Sequence, residues 1–332
     1  MSKPDTSTDS KPTVKIPRFM LIFSILVLGA LVAFVVIHFS EVGELKKLFL
    51  EAKPWWLLLA FCLQAGTYIS AGAIWYIVIH SAHHHIPLRM LARFSIEKLS
   101  IDQLVPALGI AGNMVVYRGI KLMGLPSNLA AEALFIDTFS FYISYAIVSV
   151  AGVLILCFYG GITAFILYGM GFFSIILIAV PSLLFWMLKR RKKTLPRLIS
   201  RIGAMKKLQE LMNSVSRERA LSPSLLIKSS LLHIAIFIFD SLTLYAVLHG
   251  LGAHGSMQVA FATLVLASVA KTISLMPGGL GGFEAGSVGI LTILGVSVGQ
   301  AAAATLLFRG LTLWLPLIPG LLLARRDVAF KI

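Results

Sequence analysis

The sequence predicts an all-α, polytopic membrane protein, and three observations carry this prediction. Of the 332 residues, 58% are hydrophobic and 13% are charged, and the mean hydropathy is +0.90, whereas a soluble domain has roughly 25% charged residues. Several apolar runs contain the ~20 helical residues that cross a hydrocarbon core of ~30 Å. The basic residues also cluster beside these runs: 11 of the 29 Lys and Arg fall between residues 189 and 219, which is typical of cytoplasmic membrane flanks and not of a nucleic-acid-binding protein.

Six apolar runs are predicted to span the membrane, and their basic flanks set the direction. Lysines before the first run place the N-terminus in the cytoplasm, and Arg325 and Arg326 place the C-terminus on the same side. The first run is too long for a signal peptide and lacks a small-residue cleavage site, so we expect it to be a membrane span. The predicted spans cover residues 19–39, 55–80, 127–158, 163–188, 223–249 and 300–323.

Two further stretches, residues 86–123 and 257–296, are predicted to be re-entrant hairpins. Each has an apolar helical run, a proline, a glycine-rich break and a shorter helical run. Lipid cannot satisfy the free backbone groups of such a break, which must be buried in protein or line a wet cavity. The alternative is that the second stretch is an ordinary pair of helices, for eight spans in all. The predicted breaks contain Pro106, Gly109 and Gly112, and Pro277, Gly278, Gly279, Gly281 and Gly282.

The spacing of these features indicates an inverted repeat. In the first half, Pro106 lies 51 residues after Trp55, and in the second half, Pro277 lies 54 residues after Pro223. Inverted repeats with broken helices that meet near the midplane are a recurring transporter plan. We therefore expect the first hairpin to enter from the cytoplasm and the second from outside. The predicted domains are a disordered cytoplasmic segment (1–18), a membrane domain (19–325) and a cytoplasmic tail (326–332). The membrane domain has two halves, about 55–158 and 223–323, which are joined by a basic amphipathic cytoplasmic loop (189–222).

Charged residues within or beside the apolar runs are the candidate site residues. Each costs about 2.5–3.5 kcal/mol at the bilayer centre on insertion scales, so we expect them to face one another or water. They comprise four acids and three bases, which makes near-complete pairing feasible. These seven residues are Asp102, Arg118, Asp137, Asp240, Lys271, Glu284 and Arg309.

Three of these residues have specific candidate roles. Glu284 directly follows the glycine-rich break, where it can cap its own helix, bind a cationic headgroup or carry a proton. Arg118 and Arg309 carry the planar fork that suits bidentate phosphate binding. The structural alternative is a fixed ion pair of Arg118 with Asp102, or of Arg309 with Glu284. The remaining members, Lys271, Asp102, Asp137 and Asp240, are predicted either to reach the site or to balance its charge.

Other features of the chain favour no catalytic or metal chemistry. Consecutive residues such as His83, His84 and His85 do not share a helix face, and Cys62 and Cys157 both lie in apolar runs. No nucleophile–base pair or metal-ligand set is recognisable, so we expect no enzyme activity, metal or cofactor. Residues 197–215 have an apolar stripe with basic residues off it, which predicts an interfacial helix drawn to anionic lipid. The stripe contains Leu198, Ile202, Met205, Leu208, Met212 and Val215.

The motif at residues 277–284, Pro-Gly-Gly-Leu-Gly-Gly-Phe-Glu, resembles the signature of the lysylphosphatidylglycerol synthase transmembrane family. That family includes the flippase half of bacterial multiple-peptide-resistance proteins. The earlier run from Pro106 through Gly109 and Gly112 to Arg118 resembles the family's first motif, although Asn113 stands where an acid often follows the glycine. Arg309 fits an arginine often found in the last helix. The resemblance covers about residues 19–325, and the soluble aminoacyl-transferring domain of the fused relatives is absent from this match.

The resemblance implies translocation of a phospholipid or a lipid-linked envelope precursor between leaflets of the bacterial inner membrane. Two other functions stay open: secondary transport of a small solute, and a non-transporting role as a lipid-binding partner of an envelope-biosynthesis enzyme. The expected partners are membrane lipid as substrate, anionic lipid at the cytoplasmic surface, and a second copy of the chain or such an enzyme, without nucleic acid.

Overall fold

The computed structural model describes residues 51–104, 110–190, 203–274 and 276–327. Within these residues the chain forms helices and no strands, which confirms the all-α polytopic prediction. The helices are α1 (Pro54–His80), α2 (Leu88–Leu104), α3 (Ile110–Leu122), α4 (Ser127–Phe158), α5 (Ala164–Lys189), α6 (Gly203–Ser214), α7 (Arg217–Ala220), α8 (Pro223–Gly250), α9 (Met257–Ser274), α10 (Gly282–Ile293), α11 (Val298–Arg309) and α12 (Leu315–Asp327). A π-helical turn, Gly310–Trp314, joins the last two helices.

Six helical segments of the described residues are long and apolar enough to cross a membrane. Five of them coincide with predicted spans, and the sixth, Met257–Ser274, was predicted as the first arm of a hairpin. The predicted span at residues 19–39 lies outside the described residues, as does the N-terminal segment before it. The six observed segments are Pro54–His80, Ser127–Phe158, Ile166–Lys189, Pro223–Gly250, Met257–Ser274 and Val298–Gly320.

Helices α1 and α8 form a central antiparallel pair. Both begin with proline at the first helical turn, where its fixed φ fits the helix and its missing N–H costs nothing. The Lys53 backbone N–H donates to the carbonyl of Gly250 at 2.8 Å, so the start of α1 lies beside the end of α8. Farther along, the Gln64 amide donates to the Thr243 hydroxyl at 3.0 Å.

Each predicted hairpin is a pair of antiparallel helices in close contact. In the first, Gly112 of α3 lies against Asp102 of α2, and Gly119 lies against Phe94, which is about two turns nearer the start of α2. In the second, Gly282 of α10 lies against Ser274 at the end of α9, and Gly286 against Ala267. Small residues at these positions let the paired backbones approach closely.

The two hairpins start at opposite ends of the molecule, and the turn of the second lies beside the end of α2 in the first. The first follows the end of α1, and the second follows the end of α8, which lies at the other end because α1 and α8 are antiparallel. A Cβ atom at Gly278, in the turn between α9 and α10, would lie 3.4 Å from the Gln103 carbonyl oxygen near the end of α2. Pro106 and Gly109, the predicted break of the first hairpin, lie outside the described residues.

Each hairpin packs on a long helix of the other half. The Ser100 hydroxyl of α2 donates to the Pro316 carbonyl of α12 at 3.0 Å, and the Gln103 amide donates to the Thr312 carbonyl at 3.3 Å. The reciprocal contact joins α9 to α4, where Gly152 lies against Val265. The predicted inverted repeat therefore has matching contacts in its two halves.

The loop at residues 189–222, which was predicted to be cytoplasmic, departs from its prediction. Its described helix, α6, is amphipathic, but Met212 and Val215 are buried against apolar residues of the helical core. The prediction that these two residues face the membrane interface is therefore wrong, because the protein itself covers them. The Ser216 N–H donates to the buried Glu132 carboxylate of α4 at 3.0 Å, and the Arg219 guanidinium lies 3.3 Å from it. Residues 191–202, including Leu198, Arg201 and Ile202, lie outside the described part.

Candidate functional site

The turn between α9 and α10 leaves helical geometry through three glycines with positive φ. The φ angles are 62° at Gly278, 66° at Gly279 and 80° at Gly281, a region that glycine occupies without the steric cost of a Cβ atom. Gly278 and Gly279 are buried, and the Gly279 N–H donates to the Met276 carbonyl at 2.8 Å.

Glu284 and Arg309 form hydrogen bonds with the backbone of this turn and with each other. One carboxylate oxygen of Glu284 accepts a hydrogen bond from the Gly281 N–H at 2.7 Å, and the other accepts from Arg309 Nε at 2.7 Å. Arg309 Nη2 also donates to the Gly278 carbonyl at 2.8 Å, and its guanidinium lies 5.1 Å from the Phe283 ring centre. Both structural alternatives for Glu284, a cap of its own helix and an ion pair with Arg309, are therefore present together.

Lys271 lies at the centre of the remaining charges. Its aliphatic stem packs over the backbone of Gly279. Its ammonium group lies within range of electrostatic interaction with Asp102, Asp240, Glu284 and Arg309. No carboxylate of the described residues lies within 4.0 Å of it. Lys271 thus connects charged residues of the first hairpin, the second hairpin and α8 in one charge cluster.

The two aspartates near Lys271 are held by neutral donors. Asp102, at the end of α2, accepts a hydrogen bond from the Gly112 N–H at 2.7 Å. Asp240, on α8, accepts from the Gln64 amide at 3.0 Å and from the Thr67 hydroxyl at 2.9 Å. In each case all described bonds reach the same oxygen, Oδ1.

Asp137 belongs to a separate buried triad. Lys98 Nζ lies 2.7 Å from its Oδ2, and His233 Nε2 lies 3.3 Å from its Oδ1. The sequence analysis named neither Lys98 nor His233 as a candidate site residue. A signal was available for Lys98, which lies eight residues before Pro106, much as Lys271 lies six before Pro277. No comparable signal marks His233.

The structure does not bring Arg118 into this cluster. Arg118 is half-buried on α3, six residues beyond Gly112 and hence about 9 Å farther along the helix axis. It forms no ion pair or hydrogen bond with the described residues. The alternative pair with Asp102 is not formed, and the Asp102 carboxylate instead accepts a hydrogen bond from the Gly112 N–H.

The arrangement is chemically suited to holding a zwitterionic or anionic group, or to moving a proton. It offers a lysine, an arginine and three carboxylates around a backbone turn, where a headgroup phosphate or ammonium would find a counter-charge. Among the described residues, no group of three or more His, Cys, Asp or Glu side chains is placed to hold a metal ion.

Comparison with known proteins agrees with this architecture. Residues 21–320 match the family described as the lysylphosphatidylglycerol synthase TM region. A protein of Methanothermobacter thermautotrophicus named UPF0104 membrane protein is 23% identical over 319 residues, which cover 88% of this chain and 91% of that protein. Because the family match covers nearly the whole chain, including both hairpins and Arg309, the protein belongs to the family of the lysylphosphatidylglycerol synthase transmembrane region.

Proposed function

We propose that the protein moves a phospholipid or a lipid-linked precursor between the two leaflets of a membrane. The observation that carries this proposal is that two hairpins from opposite ends of the molecule come together where the turn between α9 and α10 lies beside the end of α2, with Lys271 and four further charged residues around this turn. A polar site halfway between the two ends fits a headgroup that must cross the apolar interior. The second arms, α3 and α10, have 13 and 12 residues, which is about 18–20 Å of helix and shorter than the ~30 Å hydrocarbon core.

Each charged residue of the cluster has a proposed part in this movement. Lys271, which forms no close ion pair with the described residues, would contact the lipid phosphate. Arg309 and Glu284 would keep the glycine turn in shape and exchange partners with the headgroup, so the ion pair acts as a gate. Arg118, on the outward course of α3, would bind phosphate before or after the central site.

Transfer of a fluorescent phospholipid in proteoliposomes tests the proposal. Lys271→Gln, Glu284→Ala and Arg309→Ala should each reduce transfer at least tenfold, and Arg118→Ala should reduce it less. Glu210→Gln, which changes an exposed acid on α6, is the matched control and should leave transfer unchanged. Every variant must elute as a single species before it is compared.

Other outcomes of this experiment identify the two competing functions. Substrate-dependent currents or solute uptake without lipid movement would indicate a secondary transporter. Full protein folding with no lipid movement in any condition would indicate a non-transporting partner of an envelope enzyme. If all four site variants kept wild-type transfer, the site would be placed wrongly.

We also propose that the protein resides in the inner membrane with both termini in the cytoplasm. Anionic lipid would bind its cytoplasmic surface, and the protein would leave its lipid substrate chemically unchanged. Mass spectrometry of lipid that co-purifies with the wild type and with Lys271→Gln tests which lipid is bound and whether it is modified.

A further inference from the structure

The last membrane-spanning segment, Val298–Gly320, contains a turn that is not α-helical. At Gly310–Trp314 the chain forms a π-helical turn, in which the Leu315 N–H donates to the Gly310 carbonyl, five residues back instead of four. π-Helical turns are rare, occur mostly as single turns inside α-helices and are frequent at functional sites. The contacts on either side of this turn indicate what it does.

The π-turn has causes in its own sequence and in the first hairpin. Pro316 has no N–H, so it cannot donate to the Thr312 carbonyl four residues earlier. The Gln103 amide of α2 donates to that carbonyl instead, at 3.3 Å. The Thr312 hydroxyl donates to the Phe308 carbonyl at 2.9 Å, a kind of contact that often bends helices. The geometry of the turn therefore depends on the first hairpin as well as on the local sequence.

Before the π-turn, the segment holds the second hairpin. Arg309 Nε donates to the Glu284 carboxylate at 2.7 Å, and Arg309 Nη2 donates to the Gly278 carbonyl at 2.8 Å. One helical turn earlier, the Thr305 hydroxyl lies 2.8 Å from the hydroxyl of Ser287. Helix α11 is thus attached both to α10 and to the glycine turn that precedes it.

After the π-turn, the segment holds the first hairpin. The Ser100 hydroxyl of α2 donates to the Pro316 carbonyl at 3.0 Å. One helical turn farther, a Cβ atom at Gly320 would meet the Ser100 hydroxyl and would lie 2.8 Å from the Ile96 carbonyl oxygen. Helix α12 therefore lies directly against the backbone of α2.

The π-turn lets one helix face both hairpins. Gly320 lies 11 residues after Arg309, and 11 α-helical residues bring a side chain back to within about 20° of its starting direction. In an unbroken α-helix the two residues would therefore face the same side. The extra residue of the π-turn offsets the faces before and after it by about 100°. Arg309 accordingly faces the second hairpin, and Gly320 faces the first.

We propose that the π-turn is a joint that couples the positions of the two hairpins. If the turn straightens to α-helical geometry, α12 rotates relative to α11 and one of the two hairpins loses its contacts. Movement of either hairpin therefore changes how the other is held, as in other two-state switching elements. Resting on the proposed lipid translocation, this makes Gln103 and Gly310 positioning residues. Gln103 holds the joint in π geometry, and Gly310 lets its backbone change.

A spin label in the turn of the second hairpin tests the coupling without any lipid transfer. The label is attached at Met276→Cys, an exposed position, in full-length protein whose Cys62 and Cys157 are replaced by alanine. Electron paramagnetic resonance of the purified protein in detergent reports the mobility of the label.

Two glycine-to-alanine variants are compared with this label. Gly320→Ala forces α12 away from α2 and should raise the mobility of the label, although residue 320 lies about 16 Å of helix beyond Arg309. Gly299→Ala is the matched control, because it lies in the same membrane-spanning segment and its Cβ atom would meet no atom within 4 Å. It should leave the mobility of the label unchanged.

Gly310→Ala tests the joint itself. A Cβ atom at Gly310 would meet no atom within 4 Å, so the substitution restricts the backbone of the joint without a steric clash. In proteoliposomes we expect it to slow lipid transfer about two- to fivefold, which corresponds to ~0.5–1 kcal/mol at 1.36 kcal/mol per tenfold. Gly299→Ala, with equally open surroundings, should keep the wild-type rate.

The outcomes separate the joint from the proposed function. If Gly320→Ala raises the mobility of the label while even the wild type moves no lipid, the coupling stands and translocation fails. An unchanged label in Gly320→Ala would overturn the coupling, whether or not lipid moves. Equal transfer rates for Gly310→Ala and Gly299→Ala would show that the π-turn is not the joint. If Gly320→Ala does not fold, the label in Ser100→Ala decides, because that variant removes only the hydroxyl that donates to the Pro316 carbonyl.

Discussion

Gly279 shows how one residue connects backbone geometry to the charge cluster. Its φ of 66° lies in the left-handed region, and the stem of Lys271 occupies the space that a Cβ atom would need. A side chain here would strain the turn and displace the lysine. The glycine is therefore needed both for the turn and for the position of Lys271.

We expect Gly279→Ala to lower the free energy of unfolding by at least about 1–2 kcal/mol, the cost of placing a Cβ atom in left-handed geometry, and to abolish lipid transfer. Gly289→Ala is the matched control, because its Cβ would meet no atom within 4 Å in the same short hairpin arm. It should raise stability by roughly 0.5–1 kcal/mol and leave transfer intact. Thermal unfolding in detergent measures both changes, and equal effects of the two variants would contradict the role of Gly279.

The charged residues themselves were predictable, whereas their partners were only partly so. Any ionisable residue in an apolar run stands out, and Glu284 with Arg309 was foreseen as a possible pair. Asp137 shows the limit, because its partners Lys98 and His233 lie 39 and 96 residues away on other helices. Such pairs depend on tertiary packing, which spacing along the chain does not specify.

At the scale of elements, the length of the second hairpin arm limits how far the hairpin can extend into the membrane. With 12 residues, α10 is about 18 Å long and does not cross a ~30 Å core. We therefore expect the turn between α9 and α10 to lie near the membrane centre. A fluorophore on Met276→Cys, a partly exposed position in that turn, should be quenched most by lipids that carry a quencher at the end of their acyl chains.

The control for this depth measurement is Ser256→Cys, an exposed position just before α9. It should be quenched most by headgroup quenchers. Cys62 and Cys157 are free and exposed, so both are first replaced by alanine. Headgroup quenching at both positions would show that α9 and α10 are ordinary spanning helices.

Helices and breaks were predictable because their causes are local. Apolar length marks a helix that crosses lipid, and proline with several glycines marks its interruption. The stripe on α6 was misassigned, since an apolar face looks the same whether lipid or protein covers it, and Met212 and Val215 are covered by protein. The sequence also contained no sign that each hairpin packs on the opposite half.

At the scale of the whole molecule, two kinds of contact join the halves of the chain, and the proposed translocation makes different demands on them. Helix α9 of the second half packs against α4 of the first half, where Gly152 lies against Val265. The α1–α8 pair instead joins the two halves through hydrogen bonds at both its end and its middle. If transport tilts the hairpins while the α1–α8 pair stays fixed, the contact between α9 and α4 must change and the hydrogen bonds between α1 and α8 must persist.

Two disulfides of matched geometry test this difference. A Cβ atom at Gly152 would lie 3.3 Å from that of Val265, and one at Gly250 would lie 3.3 Å from that of Trp56, each close to the ~3.5–4.5 Å of a disulfide. In protein without Cys62 and Cys157, oxidation of Gly152→Cys/Val265→Cys should stop lipid transfer, and reduction should restore it. Oxidation of Trp56→Cys/Gly250→Cys should leave most of the transfer in place. Equal inhibition by both cross-links would show that the hairpins do not move separately from the α1–α8 pair. Lipid transfer that survives the cross-link between residues 152 and 265 would show that α9 stays fixed on α4 while the lipid passes.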